Sequence, residues 1–313
     1  MRGAASLSIE PSDLARRSIT TAATLFTLGA NVAADAAFYK ALKREPEPWK
    51  VALRINAKKI ADAVEYLGPT YIKFGQALAS QPDIVTPPLA NELRRLQTRI
   101  APFDTERARD IIANEFGADA APLLRALPAT PAASASLGQV YRVRLDGRDL
   151  AVKVLRPGVE YLVHADAQLA RRAAGFVERT FPGFQPRAVA AVDEFFLRLK
   201  EETDYEHEVG NMRAFTEVHG GAASRGARSL RVFGEVVIPA PLPRYCGRRV
   251  LAMDWLDGEP LLPERAARSG AAASAPSAQE LAMVDLGISS TLSQLLVTGT
   301  LHADQHAGNL LRL

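Results

Sequence analysis

The stretch Leu301-His302-Ala303-Asp304-Gln305-His306-Ala307-Gly308-Asn309 governs how the rest of the chain is read, because it sets Asp304 and Asn309 five residues apart. That spacing belongs to phosphoryl transfer. The aspartate accepts or orients the proton of the nucleophile, and the asparagine five positions on ligates a magnesium ion that neutralises charge on the transferring phosphate. The chain continues for four residues past Asn309, to Leu313, with no Asp-Phe-Gly segment between them. The expectation is either a piece of a phosphotransferase-like protein or a protein that has lost half of its metal site.

Upstream, Leu150-Ala151-Val152-Lys153-Val154 puts a lysine on an apolar strand, where its ammonium can reach two phosphates of a bound nucleotide. Strand-end lysines are common, so the surroundings decide. From Gly138 apolar and polar residues alternate through Val140, Arg142 and Arg144. The alternation resumes after Asp146-Gly147 at Leu150, Val152 and Val154, which predicts a β-hairpin. Before it lies Pro131-Ala132-Ala133-Ser134-Ala135-Ser136-Leu137-Gly138-Gln139, where small alanines and serines stand in the place of a glycine-rich phosphate loop. Their Cβ atoms restrict close backbone approach to phosphates, and the same composition also suits a flexible linker.

Glu201-Glu202-Thr203-Asp204-Tyr205-Glu206-His207-Glu208 carries five acids in eight positions on a predicted helix. A charge run of this kind is usually a solvated face. A strand lysine in such a site also needs a helix glutamate to fix its geometry, and Glu208 or Glu202 could supply it. His207 reads as an exposed neighbour. Lys73 and Gln76, three residues apart, share one face of a helix, and Gly75 between them suggests close packing against another element. Asp254 and Leu256, leaving a strand at Met253-Asp254-Trp255-Leu256-Asp257-Gly258, occupy the place where a kinase hinge offers backbone groups to adenine; an ordinary strand exit reads the same way.

The chain has 313 residues, 48% hydrophobic and 23% charged, enough for two packed units with sizeable cores. A net charge of +3 does not imply a nucleic-acid partner. The single cysteine, Cys246, excludes an internal disulfide and a cysteine metal cluster, and reads as a small core residue. No uninterrupted apolar run reaches the roughly eighteen residues that cross a bilayer, so no transmembrane segment is expected. Residues 14 to 42 overlap organelle transit peptides in composition, but Glu10, Asp13 and Asp35 and the stripe Val32, Ala33, Ala36, Ala37, Phe38 favour a helix.

Helices are predicted over 50–66, stopped by Gly68-Pro69, over Thr70–Ser80, and over Pro88–Arg99 with Leu89, Leu93 and Leu96 on one side. One or two more cover 104–127. After the hairpin, 160–217 is helical with a break at Phe181-Pro182-Gly183. Strands are expected at Val232–Pro243 and Arg249–Trp255, a low-complexity insertion at 263–277, and a long helix at Glu280–Thr298. The order is that of a kinase amino-terminal lobe with a helical preface. It divides the chain into an amino-terminal helical or targeting segment (1–47), a helical extension (48–127), a kinase-like lobe (128–258), and a linker, helix and catalytic loop (259–313).

Taken together these residues resemble the UbiB family of atypical kinase-like proteins, from about residue 48 to the end. The resemblance rests on a Lys-x-Gly-Gln helix (Lys73, Gly75, Gln76), an alanine-rich loop (Ala133, Ser134, Ala135, Ser136), the strand lysine Lys153, a Glu-x-Asp motif (Glu202, Asp204) and the loop at 302–309, all in order. It implies an α+β, protein-kinase-like fold: an amino-terminal lobe with an added helical Lys-x-Gly-Gln extension and the start of a carboxyl-terminal lobe. It implies ATP and Mg2+ as cofactors, Asp304, Lys153 and Glu208 as catalytic residues, and Asn309 as metal ligand. The nucleotide would meet Ala133 to Ser136, Lys153, Asp254 and Leu256. Glu208 matches the glutamate that pairs with the lysine, and Lys73, Gln76, Glu202 and Asp204 the group that closes over the usual protein-substrate site.

Such proteins resemble ATPases or small-molecule and lipid-linked kinases, and they support prenylquinone metabolism in bacteria, mitochondria and plastids, often at membranes. A prenylquinone or other lipid and a peripheral membrane surface are therefore expected partners. Ser80-Gln81-Pro82-Asp83-Ile84 favours plastid over mitochondrion. Gln305 and Ala307 replace two prolines usual in the loop, Gln81 an arginine and Thr98 an aspartate. A catalytically inactive regulator or lipid-binding scaffold is the alternative, and a conventional protein kinase is disfavoured. Oligomeric state leaves no mark on the sequence.

Overall fold

The computed structural model describes residues 11–79, 81, 85–96, 100–180, 187–219, 236–260, 277–302 and 310–313. The first described element is a long helix, α1 (Pro11–Leu42), as the acid content of that segment favours. Val32 and Ala36 bury against Ala52 of α2 (Pro48–Ile55). The helix expected over 50–66 is split at Asn56, where α3 (Ala57–Leu67) begins. Asn56 is buried, and its side-chain amide donates to Asp35 Oδ2 at 2.7 Å and Ala52 O at 3.0 Å, bonds that hold the chain at the break. Gly68, at φ +90°, ends α3 where the stop signal lies, and Pro69 opens α4 (Pro69–Ala79). Helix α5 (Pro87–Arg95) turns Leu89 and Leu93 inward, with Leu96 just beyond it, against Ala57, Ala61 and Ile72. The low-complexity stretch up to residue 276 and the Phe181-Pro182-Gly183 break lie outside the described residues, as do Ser80, Pro82 to Ile84 and Thr98.

The sheet is antiparallel: β1 (Ala133–Ser134), β2 (Gly138–Leu145), β3 (Arg148–Leu155), β4 (Pro241–Cys246) and β5 (Val250–Asp254), ordered β1-β2-β3-β5-β4. The β2–β3 hairpin forms where the alternation places it. Asp146 and Gly147 have φ of 50° and 78°, the positive pair that a two-residue turn needs to match strand twist. Strand β4 departs from expectation. Val236 to Ala240 carry no regular structure and the strand starts at Pro241, because Pro239, Pro241 and Pro243 lack the N–H a central strand requires. Among the described residues that leaves the segment as an edge, hydrogen-bonded to β5 alone.

Two helical layers cover the sheet. Helices α6 (Thr105–Phe116) and α7 (Ala121–Ala126) pack Ala108, Ile112 and Leu123 on Val152, Val154, Val250 and Ala252. On the other face, α8 (Val159–Thr180), α9 (Ala188–Glu202) and α10 (Tyr205–His219) bring Val163, Leu199, Tyr205 and Val209 to Leu155 and Leu251. The acid run does not lie on one helix as expected. The helix breaks at Thr203-Asp204, where Asp204 Oδ1 accepts from Glu206 N at 3.1 Å and so caps α10.

Helix α11 (Ala278–Ser293) starts with a capping box, in which the Ser277 hydroxyl accepts from Glu280 N and the Glu280 carboxylate accepts from Ser277 N. It continues through a π-turn, Gln294–Thr298. Ala278–Thr298 is by length and composition alone long and apolar enough to cross a membrane, with mean hydropathy 1.4 over its best window. Ser, Thr and Gln interrupt the apolar run without charge, and the acids stay near its start. Most of its large apolar residues, among them Ile288, Leu292 and Leu296, are exposed.

Candidate functional site

In β3, Val152 and Val154 point into the α6–α7 layer, so strict alternation turns Lys153 to the opposite face, toward α10. There Lys153 Nζ meets Glu208 Oε1 at 2.5 Å, with both side chains about one-third exposed. Two glutamates were open for this position on sequence, and the cap at Asp204 separates them. Glu208 lies one turn into α10, facing the strand. Glu202 stays on α9 and pairs with Lys73 Nζ at 2.5 Å. Each lysine therefore has its own carboxylate.

The Lys73–Glu202 pair ties α4 to α9, and the edge-to-face rings of Phe74 and Phe195, 5.6 Å apart, make a second tie beside it. Gly75 is tight, as its place within a helix suggests: a Cβ there would lie 3.1 Å from Leu93 Cδ2 and 3.2 Å from Val64 Cγ1. Gln76 is half-buried one turn from Lys73, and Asp204 acts as the cap.

The alanine-rich segment is not a loose linker. Ala133 and Ser134 pair with Val140 and Gln139, and Ala135 N donates to Gly138 O at 2.8 Å, closing a tight turn at the edge of the sheet. Ser136 is buried, whereas Ala133 and Ala135 are exposed. Gly138 sits against the lysine strand, where a Cβ would fall 2.6 Å from Val154 O and 2.8 Å from the Tyr205 hydroxyl. Tyr205, buried at the start of α10, thus reaches the base of the turn, and burial raises its hydroxyl pKa well above the ordinary range.

At the strand exit, Asp254 is occupied. Its carboxylate accepts from Arg148 at 2.6 Å and from Ala240 N at 3.3 Å, so a ligand there would meet main chain. Leu256 follows, half-buried. Asp304 and Asn309 lie outside the described residues, with Gln305 and Ala307. The chain leads toward them from beside α10, since His302 N donates to Gln294 Oε1 at 2.9 Å and its ring lies 6.2 Å from Phe215. Among the described residues no group of three or more His, Cys, Asp or Glu is gathered as a metal site.

Sequence reading missed Arg17, Asp166 and Arg156. Arg17 of α1 clasps Asp166 of α8, and Arg156 follows the lysine strand and reaches the alanine-rich turn. The first pair spans too much chain for any spacing rule. The second could have been suspected from a basic residue placed three after Lys153.

Residues 95–312 match the family model described as the ABC1 atypical kinase-like domain. The chain belongs to this family. An aarF domain-containing protein kinase of Arabidopsis thaliana, chloroplastic by name, is 34% identical over 275 residues, covering 87% of this chain and 35% of its own length. The chloroplastic ACTIVITY OF BC1 COMPLEX KINASE 1 of the same plant is 35% identical over 268 residues, covering 82% of this chain and 35% of its own. A Synechocystis protein is 35% identical over 261 residues, at 83% and 36%. The ABC1-family chain described here thus spans about one-third the length of these relatives. A Mycobacterium tuberculosis protein solved with erythromycin shares the fold, at TM-score 0.50 and 21% identity over 93% of this chain and 62% of that one. The mixed helix-and-strand architecture is therefore an α+β, kinase-like fold of the ABC1 family.

Proposed function

We propose that the chain carries the nucleotide-gripping part of an atypical kinase-like ATPase or phosphotransferase that supports prenylquinone or other lipid metabolism. The observation that carries this reading is the Lys153–Glu208 pair, part-buried next to a closed turn of small residues on the same sheet. A phosphate-bearing ligand is the proposed occupant. Lys153 is held at 2.5 Å by one carboxylate, which fixes its direction and leaves donors of the ammonium for phosphate oxygens. In this reading Ala133 to Ser136 lie over the phosphates, and main chain at Asp254 and Leu256 meets the base.

Asp304 would orient or accept the proton of the attacking group, and Asn309 would hold Mg2+. When bound, that ion supplies charge neutralisation at the phosphates. Lys73, Glu202 and Phe74 close the helical extension against α9 on the side where a protein substrate would otherwise enter. In the same reading 48–127 is that extension, 128–258 the amino-terminal lobe and 259–313 the start of the carboxyl-terminal lobe.

The test is titration of Mg-ATP and Mg-ADP into wild type and Lys153→Ala. Loss of affinity on that substitution is expected, and unchanged affinity would overturn the assignment.

A second reading, an inactive regulator or lipid-binding scaffold, has its own support. Residues 38–59 hold seven Lys or Arg against two Glu, a net +5 in a chain of net +3. The same helical hairpin exposes Phe38, Leu42, Trp49 and Ile55. Exposed aromatic and aliphatic side chains among cations suit a peripheral, anionic membrane surface. Both readings can hold in one molecule, and Asp304→Asn separates them: the scaffold reading survives only if cellular activity persists in that variant. The chloroplastic and cyanobacterial relatives favour a photosynthetic setting, a plastid in a plant.

A further inference from the structure

Among the described residues Arg156 is a cation without a carboxylate among its hydrogen-bond partners. Its Nη2 donates to Ala101 O at 3.1 Å, Ser134 Oγ at 3.2 Å and Ala135 O at 3.2 Å, and its guanidinium stacks 5.4 Å from the centre of the Phe103 ring. Its backbone N donates to Leu137 O at 2.7 Å. Other arginines here, such as Arg17, Arg142 and Arg249, meet aspartate or glutamate. Half-burying a guanidinium among neutral acceptors carries a desolvation cost, and accordingly burial lowers the Arg156 pKa. The acceptors come from two places: the segment before α6, and the alanine-rich turn.

We infer that Arg156 is a positioning residue that pins the Ala133–Ser136 turn to the segment 101–103 and so fixes the height of the turn above the phosphates gripped by Lys153. The inference rests on the nucleotide reading above. A glycine-rich loop can settle on phosphates by backbone rotation, whereas alanines and serines cannot do so freely. Here a side chain supplies the setting. All three acceptors meet Nη2, whose place is set by the guanidinium plane lying over the Phe103 ring, a planar contact that a lysine ammonium does not reproduce in the same geometry.

The experiment pairs hydrogen exchange of the nucleotide-free protein with competition binding of Mg-ADP and of adenosine, in wild type, Arg156→Ala, Arg156→Lys and Ser134→Ala. Arg156→Ala should speed exchange of the Ala132 and Ala135 amides about tenfold and weaken Mg-ADP by a similar factor, with adenosine affinity unchanged. Ser134→Ala, which removes one acceptor and leaves the fold intact, should move both readouts part of the way. Arg156→Lys should not restore either. A purely structural role would lower the thermal midpoint without separating Mg-ADP from adenosine, and that result overturns the inference. So does unchanged exchange in Arg156→Ala. Recovery of Mg-ADP affinity in Arg156→Lys while the turn still exchanges fast would instead make Arg156 a direct phosphate contact. If wild type binds no nucleotide, the nucleotide reading and the phosphate part of this inference both fall, and the exchange arm alone decides whether Arg156 orders the turn.

Discussion

Arg17 and Asp166, 149 residues apart in the chain, form a two-pronged ion pair: Nε to Oδ1 and Nη2 to Oδ2, each 2.8 Å. The same Nη2 donates to Leu67 O at 2.6 Å, so one guanidinium joins α1, the end of α3 and α8. The Asp166 side chain is 1% exposed. A carboxylate this deep is tolerated because two charge-assisted bonds replace its water. It links the long first helix to the layer that carries Glu202 and Glu208.

Removing one partner should therefore be costly. Arg17→Ala leaves Asp166 buried and unpaired, and about 3–5 kcal/mol of stability should be lost in urea unfolding. The double variant Arg17→Met with Asp166→Leu should recover much of that loss, because apolar residues of similar volume carry no desolvation cost. A single-variant cost below about 1 kcal/mol, the range of solvated surface pairs, would mean that the pair is not desolvated in solution.

The parts of the fold and site that were legible in the sequence were those set by neighbours in the chain. The β2–β3 hairpin follows from period-two alternation and an Asp-Gly turn, and Gly68-Pro69 marks a helix junction by backbone geometry alone. Lys153 was legible because alternation fixes its face. The break at Thr203-Asp204 was not, since glutamate-rich sequence suits a helix interior, and only the observed cap sends Glu202 and Glu208 to different lysines. Arg17–Asp166 and the Arg156 contacts depend on tertiary approach, which local pattern does not encode. The apolar length of helix α11 was not legible either, because a search for an unbroken apolar run discounts uncharged Ser, Thr and Gln.

Gly138 gives a prediction about backbone contact. Gly138→Ala would place a methyl 2.6 Å from Val154 O and 2.8 Å from the Tyr205 hydroxyl. The carbonyl belongs to the lysine strand and cannot rotate away without breaking the ladder, so a cost of about 1–3 kcal/mol is expected. Tyr205→Phe in the same chain should not rescue it, because the carbonyl clash remains. Rescue would show that the tyrosine hydroxyl, not the strand, sets the limit.

Cys246 predicts a pH dependence. Burial raises its thiol above the ordinary value of 9.0, and its Sγ lies 3.1 Å from Leu242 O and 3.4 Å from Ala252 O, acceptors that a thiol can use and a thiolate cannot. A group whose folded pKa is raised contributes stability that is present below the unfolded value and is lost as pH rises through the folded one. Reaction with a disulfide reagent at pH 8 should be several-fold slower than for a free thiol and should accelerate on unfolding. Folded and unfolded rates that coincide would place the sulfur in solvent.

Glu208→Gln tests the grip on Lys153 without altering shape. The amide keeps an oxygen near Nζ but removes the charge that holds the ammonium at 2.5 Å. Both side chains are about one-third exposed, so the effect on stability should stay within about 1 kcal/mol. Nucleotide affinity should respond more, because a lysine released from its partner must be reordered when phosphate binds. A loss of about tenfold in Mg-ADP affinity, about 1.4 kcal/mol, is expected by calorimetry, and adding Lys153→Ala should cost little beyond the larger single loss if the two act as one unit. Fully additive losses would show that Glu208 and Lys153 contribute separately, and that the ion pair is a packing contact and not the device that aims the lysine.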